Sequence, residues 1–137
     1  MQNNNSSNKS NRNSNNENNI DGSSFIELYE KAVVESLLMF GSHIPGIILL
    51  YLKEKHSITR LGYTAANPKL LMKALELVLN GGAKLAQRRI LRLLYNNLGI
   101  EQTFDSTINF EEQILKSIKE FEKKIQDDST SKSILKK

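Results

Sequence analysis

The sequence predicts an all-α fold, a single compact domain of about five helices at residues 21–126 behind a disordered N-terminal tail. Apolar residues in this range recur at spacings of three and four, the period of an α-helix. Glycines, an Asn-Pro pair and Ser or Asn caps separate successive apolar runs. No window shows the period-two alternation of a strand. The length of 137 residues suits one domain.

The two ends of the chain are predicted to lie outside this domain. Residues 1–20 are mostly Asn and Ser, so ordering them would cost backbone entropy and bury almost no apolar surface. We therefore expect a disordered tail there. Residues 127–137, DDSTSKSILKK, are expected to form a second, loose tail.

The first helix is predicted to begin at Ser24 and to end at Gly41. Ser24 and Glu27 have the spacing of a capping box, and glycine is a common helix stop. The apolar positions that follow at helical spacing are Phe25, Tyr29, Ala32, Val33, Leu37 and Phe40.

The second helix is predicted from about Ser42 to His56, because Pro45 is tolerated in a first helical turn. Its apolar stripe comprises Ile44, Ile47, Ile48, Tyr51 and Leu52. Leu49 and Leu50 widen that stripe, which predicts a central position in the domain. The following stretch, SITRLGYTAA at 57–66, is predicted to be a loop.

The third helix is predicted to start at Pro68, with Asn67 as its cap, since proline favours the first helical position. Its apolar positions are Leu71, Ala74, Leu75, Val78 and Leu79. Gly81 and Gly82 separate it from the fourth helix, which is predicted to end before Gly99.

The fifth helix is predicted to start near Asn109, because Asn109 and Glu112 again have capping-box spacing. Phe110, Ile114, Ile118 and either Phe121 or Ile125 supply its apolar side. The helix is expected to end near residue 126.

Composition excludes several classes of protein. The chain has no cysteine, so it has no disulfide framework and no thiolate chemistry. Its longest apolar run, IPGIILLYL at Ile44–Leu52, is about half the roughly 20 residues of a membrane-spanning helix. The N-terminus lacks the pattern of a secretory signal. We therefore expect a cytoplasmic protein that does not engage membranes.

Charge is distributed unevenly along the domain. Residues 51–99 carry nine Lys or Arg against two acids, a net charge of +7, although the whole chain carries only +4. Residues 21–43 carry −3 and residues 100–126 carry −2. The basic excess therefore belongs to the middle of the domain, and the flanking helices are acidic.

The fourth helix concentrates this charge on one side. Seven apolar residues fall on an arc of roughly 160° at 100° per residue: Ala83, Ala86, Ile90, Leu91, Leu93, Leu94 and Leu98. Lys84, Arg88, Arg89 and Arg92 fall on the other side, together with Tyr95. Such a surface can contact phosphates, and arginine can bind carboxylates or base edges through two hydrogen bonds. Tyr95 offers a stacking surface.

Several readings of this cationic face remain open. It can be a solvated helix surface, a surface covered by acids of helix one or five, a site for a partner protein or a site for nucleic acid. The junction of Gly81 and Gly82 is not a specific helix-turn-helix signal, since that motif needs a defined turn and a companion helix.

No motif for catalysis, a cofactor or a metal is present. The chain lacks the phosphate-binding and dinucleotide-binding glycine motifs and the H-E-x-x-H metal motif. Its two histidines, His43 and His56, lie thirteen residues apart, about 20 Å along a helix, so they cannot share a metal within one chain. We therefore expect no catalytic, cofactor-binding or metal-ligating residues, and no enzyme.

Two segments carry a resemblance to a known family. They are ESLLMFGSHIPGIILLYLKEKHSI and NPKLLMKALELVLNGGAKLAQRRILRLLYNNLGI, within residues 35 to about 100. A helix that ends in Tyr-Leu-Lys-Glu is followed by an Asn-Pro helix start and by an Ala-Leu-x-x-x-Leu-x-x-Gly-Ala-Lys run that leads to a Leu-Tyr-x-x-Leu-Gly ending. These features make the region similar to the Nitrosopumilus output domain family of ammonia-oxidising archaea. The HIPG turn and the 59–66 loop depart from that pattern. The resemblance implies a signal-transduction output module without assigned chemistry, with its input supplied by another chain.

The function predicted from these observations is a non-catalytic regulatory or signal-output interaction module that acts through a partner protein. The predicted contact residues are Lys84, Arg88, Arg89, Arg92 and Tyr95. The alternative is a nucleic-acid-binding regulator that uses the basic face of the helix at 82–98. An exposed apolar stripe would also allow a homodimer.

Overall fold

Five α-helices build the part of the chain that the structure describes. The structure is a computed structural model that describes the backbone of residues 22–102 and 108–136, and the side chains of residues 24–102 and 108–127. The helices are α1 Gly22–Leu38, α2 Ile44–His56, α3 Pro68–Leu79, α4 Ala83–Leu98 and α5 Phe110–Lys136. Short 3₁₀ helices, Leu61–Ala66 and Asn80–Gly82, precede α3 and α4. These ranges contain no strand, which confirms the all-α prediction.

The predicted tails compare differently with this description. The tail expected at residues 1–20 lies outside the described residues. At the other end, α5 continues to Lys136, whereas the sequence predicts a loose segment from residue 127.

The observed helix starts lie close to the predicted ones, but within the described residues two of the three predicted capping interactions are absent. Helix α1 begins at Gly22, so Ser24 lies inside its first turn and does not cap it. Helix α3 begins at Pro68 as predicted, but the Asn67 side chain makes no capping hydrogen bond. The capping box of α5 is confirmed. The Asn109 amide donates to Glu112 Oε1 at 3.2 Å, and the Glu112 amide donates to Asn109 Oδ1 at 2.9 Å.

The end of α4 is fixed by backbone geometry and by a side chain from α5. Gly99 adopts a positive φ of 71°, which lets its amide and the next one return to the carbonyls of the last turn. Lys124 Nζ then donates to the carbonyls of Leu98 at 3.4 Å and Gly99 at 3.1 Å. A cation at this position also interacts favourably with the negative end of the helix dipole.

The core forms where α1 packs along α4. Helix α3 packs against α4 and also contacts α2 and α5. The largest fully buried apolar side chains are Tyr29, Val33, Leu37, Ile48, Leu52, Leu71, Leu75, Ile90, Leu94 and Ile114. Burying each such side chain contributes about 1.5–3 kcal/mol, which makes their association the main stabilising term. None of the described helices combines the length and apolarity needed to cross a bilayer.

Helix α2 is peripheral, which corrects the prediction of a central helix. Only Ile48 and Leu52 of its residues are buried, whereas Ile47 and Leu50 are exposed. The helix packs mainly on α3 and to a smaller extent on α1. Its apolar residues on the remaining side therefore face away from the core.

The 3₁₀ helix Leu61–Ala66 is fastened to α1 by polar contacts. Tyr29 Oη and Thr64 Oγ1 form a buried hydrogen bond of 2.7 Å, and the Thr64 hydroxyl also donates to the Leu61 carbonyl at 2.8 Å. The Glu30 carboxylate accepts hydrogen bonds from the Arg60 guanidinium and from the Gly62 amide, the latter at 3.1 Å. The second half of the segment that the sequence predicts as a loop is thus a 3₁₀ helix that contributes to the core, whereas residues 57–60 have no regular structure.

Candidate functional site

A groove opens between the α1–α2 turn and the exposed side of α4. Its volume is about 230 Å³, and its lining combines three apolar residues with three arginines. The lining residues are Met39, Phe40, Leu85, Arg88, Arg89 and Arg92. We refer to these six residues as the arginine groove.

The α1–α2 turn supplies one wall because α1 ends early. The helix stops at Leu38, and the Phe40 amide donates to the Leu37 carbonyl at 2.9 Å in a tight turn. Gly41 then adopts a φ of 144°, a conformation that residues with a side chain rarely adopt. The chain therefore reverses at once, and Met39 and Phe40 remain beside the start of α4.

Gly82 allows this wall to approach α4. A Cβ atom at position 82 would lie 3.2 Å from Phe40 Cε2, closer than ordinary carbon contacts of about 3.5–4.0 Å. Because Gly82 has no side chain, the Phe40 ring can pack directly on the α3–α4 junction. Phe40 is half-buried there and forms the most enclosed apolar part of the arginine groove.

The rim of the arginine groove exposes apolar surface. Met39 is 62% exposed and Leu85 is 58% exposed. Single exposed apolar residues are common on protein surfaces, but here two of them border one concave site that also holds Phe40. The arrangement provides apolar area that a ligand can cover.

The arginines of the groove are not neutralised within the described residues. Arg88 and Arg92 are exposed, and Arg89 is half-buried with an enclosed Nε that makes no hydrogen bond to any described group. Among the described side chains, the ion pair formed is that of Arg60 with Glu30, far along the chain from α4. The described acids of α1 and α5 therefore form no ion pair with the cationic face.

The five residues predicted from the sequence separate into three groups. Arg88, Arg89 and Arg92 come together in the arginine groove. Lys84 is exposed on α4 but does not line the groove. Tyr95 has a different environment and requires a correction.

Tyr95 belongs to the core and not to the cationic face. It is 2% exposed, and its hydroxyl donates to the Gln113 carbonyl at 3.2 Å, with Gln113 Oε1 at 3.4 Å. Burial raises the pKa of Tyr95 to about 12, and the nearby charge of Glu120 adds to the effect. The phenol is thus held between α4 and α5, and it cannot stack on a ligand at the surface.

Sequence reasoning missed the apolar half of the site. Leu85 had a usable signal, because at 100° per residue it falls among the arginines and outside the apolar arc of α4. Phe40 reads as an ordinary core residue of α1, and Met39 carries no local signal at all. Their place beside α4 depends on the tight turn at Gly41 and on the packing of α1 along α4.

The described residues contain no candidate cluster for a metal ion. No group of three or more His, Asp or Glu side chains within them is arranged to hold a metal ion. His43 lies at the start of α2 and His56 at its end, where its ring meets Tyr51 edge-on. A second concavity, lined by Ile100, Glu120, Lys123, Lys124 and Asp127, surrounds the capped end of α4.

Comparison of the chain with family models, curated proteins and solved structures finds no match in any of the three. The resemblance to the Nitrosopumilus output domain family accordingly stays a prediction.

Proposed function

We propose that the protein is a non-catalytic regulatory module that binds a partner protein through the arginine groove. The observation that supports this proposal is the combination, in one concave site, of exposed apolar side chains with arginines that lack ion-pair partners among the described residues. Apolar anchors surrounded by arginine are typical of protein-binding surfaces. A signal-output role, implied by the family resemblance, and a cytoplasmic setting are parts of the same proposal.

The size of the groove supports a binding role for a macromolecule. Pockets that enclose whole small ligands usually have volumes of about 300–1,000 Å³. At about 230 Å³, the arginine groove accommodates a side chain of a larger partner more readily than a complete cofactor.

The proposal is tested by comparing partners of the tagged full chain with those of two groove variants in the source cells. Leu85→Glu places a charge on the apolar rim, and Arg88→Glu with Arg92→Glu reverses the cationic side. Partners specific to the groove should be lost from both variants, because each removes one half of the site. Identical sets of partners for wild type and both variants would contradict the proposal.

Matched controls exist on α3. Leu77 is 60% exposed and does not line the groove, so Leu77→Glu controls for an added surface charge. Lys69 and Lys73 are exposed and have the same four-residue spacing as Arg88 and Arg92, so their change to Glu controls for net charge. Both control variants should retain the partners of the wild type.

A nucleic-acid-binding regulator is the second candidate, and the exposure of Lys84, Arg88 and Arg92 on one helix favours it. Three phosphate contacts would give a salt dependence of log K against log salt with a slope of about −2.7. A labelled duplex titrated with the full chain at low and physiological salt measures this slope, and Lys84/Arg88/Arg92→Glu should abolish it. No binding at low salt would exclude this candidate.

A further inference from the structure

We infer that the ligand of the arginine groove is an amphipathic helix of the partner protein, which inserts one large apolar side chain between Met39 and Leu85 and presents carboxylates one helical turn apart to Arg88 and Arg92. The inference rests on the proposed function, since it names the chemistry that the same groove recognises. Four observations lead to it.

The apolar rim calls for an apolar anchor. Met39 and Leu85 are exposed and line the same groove as the half-buried Phe40, so an apolar side chain placed there would remove apolar surface of all three residues from water. A nucleic acid would cover this surface with its sugar-phosphate backbone and leave the methionine and leucine without an apolar partner. The mixed composition therefore favours a protein ligand over a polyanion.

The spacing of the exposed arginines matches a helical ligand. Arg88 and Arg92 lie four residues apart on α4, which separates them by about 6 Å along the helix axis. Carboxylates at positions i and i+4 of another helix have the same separation and lie on one face. Each arginine can therefore meet one carboxylate, with two hydrogen bonds per pair where the geometry permits.

Arg89 strengthens the preference for acidic groups. Arg89 lines the same groove, and its Nε is enclosed without a hydrogen-bond partner among the described residues. A charge that is partly removed from water attracts an opposite charge more strongly than a fully hydrated one does. The half-buried Arg89 thus adds a third positive group beside the position of the apolar anchor.

The N-terminal segment of the chain is a poor candidate for this ligand. Residues 1–20 contain Lys9, Arg12 and Glu17, a net charge of +1, and hardly any large apolar residue. Such a segment complements neither the arginines nor the apolar rim, so a separate acidic partner fits the groove better.

The inference is tested by fluorescence polarisation with the full chain and a labelled peptide of about 15 residues. The peptide carries two Glu one helical turn apart and a Leu beside them on the same helix face. A second peptide has Lys in place of both Glu, and a third has Ala in place of the Leu. The protein variants are Leu85→Glu and Arg88→Glu/Arg92→Glu, with Leu77→Glu and Lys69→Glu/Lys73→Glu as controls.

We expect the acidic peptide to bind the wild type and both control variants equally, and to bind each groove variant about tenfold more weakly or worse. The Lys peptide should bind Arg88→Glu/Arg92→Glu more tightly than it binds the wild type, and the Ala peptide should bind weakly throughout. Circular dichroism should show that all variants keep the helical content of the wild type, because every substituted side chain is exposed.

Three results would overturn the inference. The first is absence of binding by the acidic peptide, or equal binding to Arg88→Glu/Arg92→Glu. The second is binding of duplex DNA with the same dependence on the arginines. The third is a dimer, seen by light scattering at micromolar concentration, that Leu85→Glu dissociates. If the peptide fails while the groove variants still lose partners in cells, the ligand class is wrong and the proposed function stands.

Discussion

Replacing Gly62 by alanine tests how closely the 3₁₀ helix Leu61–Ala66 must approach α1. An added Cβ would lie 2.9 Å from Ile26 Cγ2, 3.2 Å from the Ile26 carbonyl oxygen and 3.2 Å from Glu30 Cβ. Ordinary carbon contacts are about 3.5–4.0 Å, so the closest approach is too short by about 0.6 Å. The obstacle includes backbone and a β-branched side chain, neither of which can rotate away freely.

The expected magnitude follows from two opposing effects. Forcing an extra methyl group into a well-packed site destabilises by about 1–3 kcal/mol. Alanine also reduces the entropy of the unfolded chain, which stabilises by about 0.4–1 kcal/mol. Gly62 does not have a positive φ, so backbone strain adds nothing further. We therefore expect Gly62→Ala to lower the free energy of unfolding by about 0.5–2 kcal/mol.

The assay is urea unfolding of the full chain followed by circular dichroism. Gly46→Ala is the matched control, because Gly46 lies exposed in α2 with no atom within 4 Å of an added Cβ. That control should be more stable than the wild type, by up to about 1 kcal/mol, through higher helix propensity. A Gly62→Ala protein as stable as the wild type would refute the argument for close packing at this position.

Three further predictions concern contacts described above, all measured by urea unfolding. The hydrogen bond from Arg60 lowers the pKa of Glu30; partial burial opposes that shift, and the Gly62 amide adds to it. The ionised Glu30 therefore stabilises the fold at pH values above its unfolded pKa. This stabilisation is lost as the pH falls through the lower, folded pKa. Glu30→Gln should remove that acid-side decrease in stability, and an unchanged pH profile would contradict it. Gly99→Ala should cost about 1–2 kcal/mol because of the positive φ, and no loss would contradict the assigned helix end. Tyr95→Phe should lower the free energy of unfolding by about 1 kcal/mol, because it removes the hydrogen bond to the Gln113 carbonyl. An unchanged stability would mean that this bond is no stronger than the one the Tyr95 hydroxyl makes to water in the unfolded chain.

Much of the helical architecture was predictable because it depends on neighbours in the chain. The stop of α4 before Gly99 and the capping box of Asn109 and Glu112 are interactions within a few residues, so local patterns report them directly. The buried stripe of α4 follows from its 3.6-residue period in the same way. Weaker capping signals, such as Ser24, failed because the chain can extend a helix past them.

The candidate site could be predicted only in part, since periodicity gives the direction of a side chain about its own helix and not what lies opposite. Arg88, Arg89 and Arg92 point away from the apolar arc of α4, and helical periodicity is enough to predict that direction. Tertiary packing decided the rest. It placed α5 over Tyr95, although this residue falls among the cationic residues of α4 by helical spacing, and it left Leu85 uncovered.

The turn that completes the groove likewise could not be predicted from local patterns in the sequence. The all-helical character, the charge layout and the arginines of α4 are properties of the sequence by itself, because they rest on residue type and local spacing. The tertiary structure alone brought Met39 and Phe40 to α4, through the tight turn at Gly41 and the packing of Phe40 on Gly82. Contacts between residues so distant in the chain depend on how whole helices associate, and no local pattern encodes that association.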